Sequence, residues 1–484
     1  MGPLSRRRFL QLGAAAAASA VGGACSSDSS RADADLDGIP DAEEVTTTEL
    51  SDARQGRLSD VQHVIVIMQT GASFDQVFGA RPGVRGFDDP DVATLPTGQP
   101  VWYQPNPGNA DGHTLPYPLA VAGPGPTCTP AIEASWTAQH RARANGRMDG
   151  FATNMGDLSL GYYQPGDLPW YHALADEFTL CTSWFSSVLG PANPNRVLAL
   201  SGTIDPTNKA GGPVIDDRAT RFGWETYPER LERAGVGWRL YADAASRSAS
   251  GLASFVQFQE AAPPHPLWDA GTRDRSIEDF EADCAANLLP WVSWVAVPDP
   301  PAAAGGLGWI GQQAFAARAV AAVMGNPELW KGSMIVLTHA TNGGFFDHVD
   351  PPTPPDDALS EFVGPEPIGL GFRVPGLVLS PWSRGGVVHD TVVDHTSILQ
   401  FLELRFGVEA PLISPWRRER TSNLLDTLDL GSFDPSVPDL PAPTPAPANG
   451  ICFDGAWPGA PSPQAPPPTP PDRPIPSPPP TSGR

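Results

Sequence analysis

Positive charge is scarce in this chain: 31 Lys and Arg stand against 54 Asp and Glu, a formal net charge of −23. Its long-range field repels phosphate backbones and anionic membrane surfaces, so nucleic acid is excluded as an expected partner. The apolar run from Leu12 to Val21 is too short to span a bilayer stably. Cysteine is sparse, at five residues. With Cys25 set aside, Cys128, Cys181, Cys284 and Cys452 suffice for two disulfides in an oxidising compartment, in any of three pairings. Free buried thiols are the alternative, most naturally for Cys181 in its apolar stretch. Proline and glycine, at 57 and 49 residues, exceed what one packed domain carries, so part of the chain is linker or tail. The length suits two or three ordinary domains or one large α/β domain with appendages.

The ends are compositionally distinct. Residues 1–25 combine Ser5-Arg6-Arg7-Arg8-Phe9-Leu10 with a short apolar stretch and small residues, and resemble a twin-arginine (Tat) export signal. This places the mature protein in the periplasm, at the cell surface or in the medium. Cys25 fits a lipoprotein acceptor and hence a membrane anchor; a soluble protein cleaved nearby is the alternative. Residues 26–57 are too polar to form a core and read as a tether. Within 33–44, Asp33, Asp35, Asp37, Asp41 and Glu44 place oxygen ligands at the spacing of a Ca2+ loop, with Gly38 at the sharp turn. The segment also resembles thrombospondin type 3 repeats; an acidic linker is the plainer reading. Residues 433–484 are rich in Pro, Ala, Ser and Thr and predict a disordered or extended polyproline tail, with a short island around Cys452 that can dock back.

Residues 58–432 carry the pattern of one domain. Val64–Met68, Trp294–Val297, Met334–Leu337 and Val374–Leu379 are short runs, apolar on both faces and mostly β-branched, as buried strands require. Ala314–Met324 and Ser397–Arg405 read as helices. Together they predict an α/β fold with a mainly parallel central sheet covered on both sides. In such sheets the site lies beyond the carboxyl ends of the strands, here after Met68 and Leu337.

Several segments then match one family in order. Met68-Gln69-Thr70-Gly71-Ala72-Ser73-Phe74-Asp75, Gly83-Val84-Arg85-Gly86-Phe87, Gly146-Arg147-Met148-Asp149-Gly150, Gly190-Pro191-Ala192-Asn193-Pro194-Asn195-Arg196, Gly343-Gly344-Phe345-Phe346-Asp347-His348-Val349 and Asp394-His395-Thr396-Ser397 resemble the phosphoesterase family of phospholipases C and acid phosphatases. The resemblance runs from Val61 to about Trp416. It implies an alkaline-phosphatase-like α/β/α sandwich and hydrolysis of phosphate esters with divalent metal.

The chemistry that the resemblance implies is missing from its own positions. Family glutamate and asparagine ligands fall on Thr70 and Gly71, the hydroxyl nucleophile on Ala192, an acidic pair on Ala340 and Thr341, and a histidine on Ala134. The segment near Asp299-Pro300-Pro301 lacks a further expected histidine. Phosphoryl transfer needs an aligned nucleophile and positive charge on the phosphate oxygens, so an active-site divalent metal is not expected. Ligand-capable residues remain at His140, His339, Asn342, Asp347, His348, Asp394 and His395. His339, directly after a strand, is the best candidate for a relocated metal ligand; the Asp347-His348 and Asp394-His395 pairs are as well suited to tying loops together. Thr70 and Ser73 carry hydroxyls, but no base adjoins them in sequence. The expected role is a catalytically degenerate phosphoesterase that binds a phosphorylated or phospholipid headgroup or another envelope protein. The rival is an active hydrolase of phosphate mono- or diesters with rearranged residues.

Overall fold

The computed structural model describes residues 56–119, 129–218, 220–299, 310–445, 460–461 and 464–467. The described residues lie in one compact unit. The export signal, Cys25, the calcium loop, Cys128 and Cys452 lie outside the described residues.

Seven strands build the central sheet: β1 (His63–Gly71), β2 (Thr179–Cys181), β3 (Trp238–Tyr241), β4 (Val292–Ala296), β5 (Ser333–Thr341), β6 (Gly376–Leu379) and β7 (Val388–His389). Their spatial order is β7-β2-β6-β5-β1-β4-β3. Only β6 runs antiparallel to its neighbours; the β1–β5, β1–β4, β3–β4 and β2–β7 pairs are parallel. Successive strand side chains face opposite ways, which explains the continuous apolar runs. Val64, Val66, Val292, Trp294, Met334 and Val336 join one core, while Ile65, Ile67, Val295, Ile335 and Leu337 join the other.

Helices cover both faces. Those that matter for the site are α1 (Phe74–Phe78), α2 (Trp136–Arg143), α3 (Ala192–Ser201), α4 (Ile310–Met324), α5 (His395–Phe406) and α6 (Pro415–Arg420). The Val197, Leu198 and Leu200 side chains of α3 share the first core with Ile398, Leu399, Phe401 and Leu402 of α5, whereas Ala316, Ala319, Val320 and Val323 of α4 enter the second. Asp394 starts α5 by accepting a hydrogen bond from the Thr396 N–H at 2.9 Å, and Gly407 ends it at φ 69°. The fold is thus α/β with a mainly parallel sheet, as the apolar runs imply. No helix among the described residues is long and apolar enough to cross a membrane.

Two expectations need correction. Residues 433–445 pack on the domain: Phe433 meets the Trp382 ring at 5.1 Å, and Thr444 Oγ1 donates to the Asp167 carbonyl at 2.7 Å. Further along, Gln464 Oε1 accepts from the Leu115 N–H at 2.6 Å. Backbone groups satisfied in this way hold an otherwise coil-like sequence in place, so 432 is not a packing boundary. Secondly, Cys181 and Cys284 are free, buried thiols. All three pairings of the four cysteines would engage them, so the two-disulfide arrangement does not hold. Burial pushes both thiols up to about 12.

Candidate functional site

Parallel pairing of β1 with β5 sets Ile67 opposite Leu337 and Gly71 opposite Thr341, so both strands end side by side. The residues sequence reasoning singles out after Met68 and Leu337 therefore meet in space. Thr341 Oγ1 donates to the Gly190 carbonyl at 3.0 Å, which draws in the turn before α3 and its first residue, Ala192. From α2, Gln139 Nε2 reaches the carbonyls of Ala134 and Gly190 at 3.0 and 2.7 Å and Thr341 Oγ1 at 3.2 Å. Thr70, Gly71, Ala134, Ala192 and Thr341 are thus gathered at one end of the sheet, and Ala340 is fully buried in β5.

Thr70 is tied down from three sides. Its Oγ1 donates to Asp299 Oδ1 at 2.9 Å, its N–H donates to Gln312 Oε1 at 2.7 Å, and Gln312 Nε2 donates back to Oγ1 at 2.5 Å. Asp299 is in turn held by Arg196 of α3, with Nη1 to Oδ2 at 2.9 Å and Nη2 to Oδ1 at 2.6 Å. A second carboxylate, Asp217, accepts from the Asn193 N–H at 2.8 Å near the start of the same helix. Burial raises the Asp217 pKa, opposed by that N–H and by Arg196 and reinforced by Asp299. Sequence reasoning finds no base beside Thr70. The fold supplies Asp299 from a distant segment, and Asp299, Gln312, Asp217 and Gln139 are all missed by motif.

The order of motifs finds its counterpart in known proteins. The profile described as "Phosphoesterase family" matches residues 61–409. This chain belongs to the phosphoesterase family. It is 37% identical over 421 residues to a non-hemolytic phospholipase C of Pseudomonas aeruginosa, covering 80% of this chain and 60% of that protein. It is 36% identical over 436 residues to phospholipase C B of Mycobacterium tuberculosis, covering 80% and 81%. The chain thus spans about six tenths of the length of its Pseudomonas relative. Among solved structures, the PsFucS1 sulfatase from Pseudoalteromonas sp. aligns at TM-score 0.35 and 12% identity over 79% of this chain and 74% of that one, an overlap too low to bear on function.

The residues at these positions do not fit the divalent metal that the family implies, and the carboxylate beside them, Asp299, is held by Arg196 through both oxygens. Thr70, Gly71, Ala192, Ala340 and Thr341 offer no carboxylate or imidazole. The Thr70 and Thr341 hydroxyls already bond to Asp299 and to the Gly190 carbonyl. Gly71 has also lost the room for a ligand side chain: a Cβ there would lie 2.5 Å from Gly343 Cα and 2.8 Å from Gly343 N. The atoms met are backbone, which cannot swing aside as a side chain can, and Gly343 itself sits at φ 65°, where glycine is favoured. Gly71→Asn should therefore destabilise the domain by about 1 to 3 kcal/mol through overpacking. Chemical denaturation checks this, and unchanged stability would show that the contact yields freely.

The retained polar residues sit elsewhere. His339 is fully buried within β5, with a backbone hydrogen bond to Pro375; burial lowers its pKa to about 3. The His339 ring lies in the core, fully buried within β5, not on an exposed strand end. His395 Nε2 donates to the His339 carbonyl at 2.9 Å, and burial lowers its pKa to about 4. Asp394 pairs with Arg417 of α6 at 2.9 Å, and Arg417 also pairs with Glu361 at 2.8 Å. His140 spans the carbonyls of Trp136 and Pro367 at 2.8 and 2.9 Å, and Asn342 Nδ2 donates to the Phe345 carbonyl at 2.7 Å.

Asp347 and His348 form a buried charge cluster with Asp75. Their ligand-type atoms lie within 4.8 Å of one another, the spacing of a metal site. The cation among them is Arg373, whose Nη2 and Nε lie 3.0 and 2.8 Å from Asp75 and Asp347. His348 Nδ1 lies 2.7 Å from Asp75 Oδ2, and its Nε2 lies 3.1 Å from Asp89 Oδ2. Burial works against a charged His348, but Asp75 and Asp89 outweigh it and raise its pKa. The raised folded value means that His348 contributes stability fully present below the unfolded value of about 6.5 and lost as pH rises through the folded one. Urea midpoints should therefore fall from about pH 7 upward, and less so in His348→Gln. Equal slopes for the two proteins would contradict the assignment.

Proposed function

We propose that this phosphoesterase has given up metal-dependent ester hydrolysis and uses its cleft for binding at the cell envelope. The observation that carries the reading is the lock on Thr70 by Asp299 and Gln312, at the spot where the family's ligand and nucleophile positions converge without one carboxylate among them. Export by the Tat route, a lipid anchor at Cys25 and Ca2+ at Asp33, Asp35, Asp37, Asp41 and Glu44 belong to the same proposal. They rest on sequence pattern and give the domain its place outside the cytoplasm. The occupant is a phosphorylated molecule or phospholipid headgroup, a choice supported by the likeness to phospholipases C.

One contact favours the rival, an active hydrolase with rearranged residues: Thr70 Oγ1 lies 2.9 Å from a carboxylate, as a nucleophile beside its base does. Asp299, however, is committed through both oxygens to Arg196, and Thr70 also accepts from Gln312. Metal analysis tests the proposal. After saturation with zinc or manganese and exhaustive dialysis, any metal that the full chain retains should be unaffected by Thr70→Ala, since the calcium loop can hold a cation of its own. A full equivalent that is lost in Thr70→Ala would overturn it.

A further inference from the structure

Arg196 is buried, 6% exposed, on the first turns of α3. Its two terminal nitrogens grip the Asp299 carboxylate in parallel, and Thr70 Oγ1 adds a third donor to Asp299 Oδ1. Arg196 Nε is buried and has no hydrogen-bond partner among the described residues. A guanidinium fork with a hydroxyl beside it is the geometry that proteins use for phosphate as well as for carboxylate. Asp299 differs from its grip in exposure: its side chain is 34% exposed against 7% for Arg196, so the carboxylate lies on the solvent side of the pair.

We infer that Asp299 is an exchangeable plug in an oxyanion subsite, and that a phosphate-ester anion enters by displacing it from Arg196 and Thr70. The plug also accounts for the fate of charge in the cleft. In a chain of net charge −23, Arg196 is a cation able to hold a phosphate, and Asp299 neutralises it until a ligand competes. The apparent affinity of the cleft is therefore its intrinsic affinity scaled by the fraction of molecules in which the plug is out. Asp217 is bonded to the Asn193 N–H at the start of the helix and is no part of the Arg196 fork.

The inference rests on the reading that the cleft binds, but it is tested separately from catalytic silence. Calorimetric titration of the full chain and of Asp299→Asn with inorganic phosphate and with phosphocholine provides the measurement. With the plug seated in nine molecules out of ten or more, Asp299→Asn should bind about tenfold more tightly or better. The gain should vanish in Asp299→Asn combined with Arg196→Gln. Tighter binding of phosphocholine than of phosphate identifies a lipid headgroup as the source; equal binding identifies free phosphate. Asp299→Ala serves as a second variant, with circular dichroism as the check on folding. The plug is refuted if neither variant gains affinity, if the gain survives loss of Arg196, or if both variants fail to fold, which would make Asp299 a structural anchor. None of these results requires ester turnover, and turnover in the native chain would overturn the binding reading without changing the affinity ratio.

Discussion

Replacing Arg373 with methionine should lower the unfolding free energy of the domain by about 3 to 5 kcal/mol, the usual cost of removing one partner from a buried ion pair. Arg373 is fully buried, spans Asp75 and Asp347, donates to the carbonyls of Arg85 and Thr182 at 2.8 and 2.9 Å, and lies 4.5 Å over the Phe74 ring. Methionine fills much of the space but leaves two carboxylates facing each other. Burial already raises the Asp347 pKa despite the guanidinium beside it. Without that guanidinium the protein must take up a proton or unfold more readily, so the loss should shrink at acid pH. Urea titration measures it; a loss under about 1 kcal/mol would mean that the cluster is better solvated than its burial implies.

The second large effect is catalytic. Removing a nucleophile from a set of residues that act as a unit typically costs on the order of 10⁴ to 10⁶ in turnover. Ala192 lacks the hydroxyl, and the ligand positions that the resemblance sets beside it are Thr70, Gly71, Ala340 and Thr341. Ala192→Thr alone should therefore restore nothing. A hydroxyl returned to the start of α3 would still face Arg196 already committed to Asp299, and the Gly71–Gly343 contact would still bar a ligand side chain. The glycines, Arg196 and the strand cores keep the scaffold, so the fold does not depend on the substituted positions.

The strands were legible wherever both faces are buried, because Val64–Met68 and Met334–Leu337 alternate between two apolar cores and leave no polar side to confuse the pattern. Direction was not: β6 is as apolar as its neighbours, and nothing in Gly376–Leu379 marks it as antiparallel. The short strands Thr179–Cys181 and Val388–His389 are set by pairing partners rather than by period. In the cleft, motif order located the converging positions, since each lies at a strand or helix end. The lock on Thr70 was invisible, because Asp299 is 229 residues away in sequence and Gln312 is 242. His339 misled for a different reason. Its position after a strand suggested a ligand, but β5 continues to Thr341 and encloses it.

Turnover of p-nitrophenyl phosphate and p-nitrophenyl phosphorylcholine by the purified full chain, with zinc, manganese or calcium supplied, is the most direct test of the proposal that hydrolysis is lost. Rates indistinguishable from the enzyme-free blank are expected under every metal. A rate above blank that disappears both with chelator and in Thr70→Ala would contradict it.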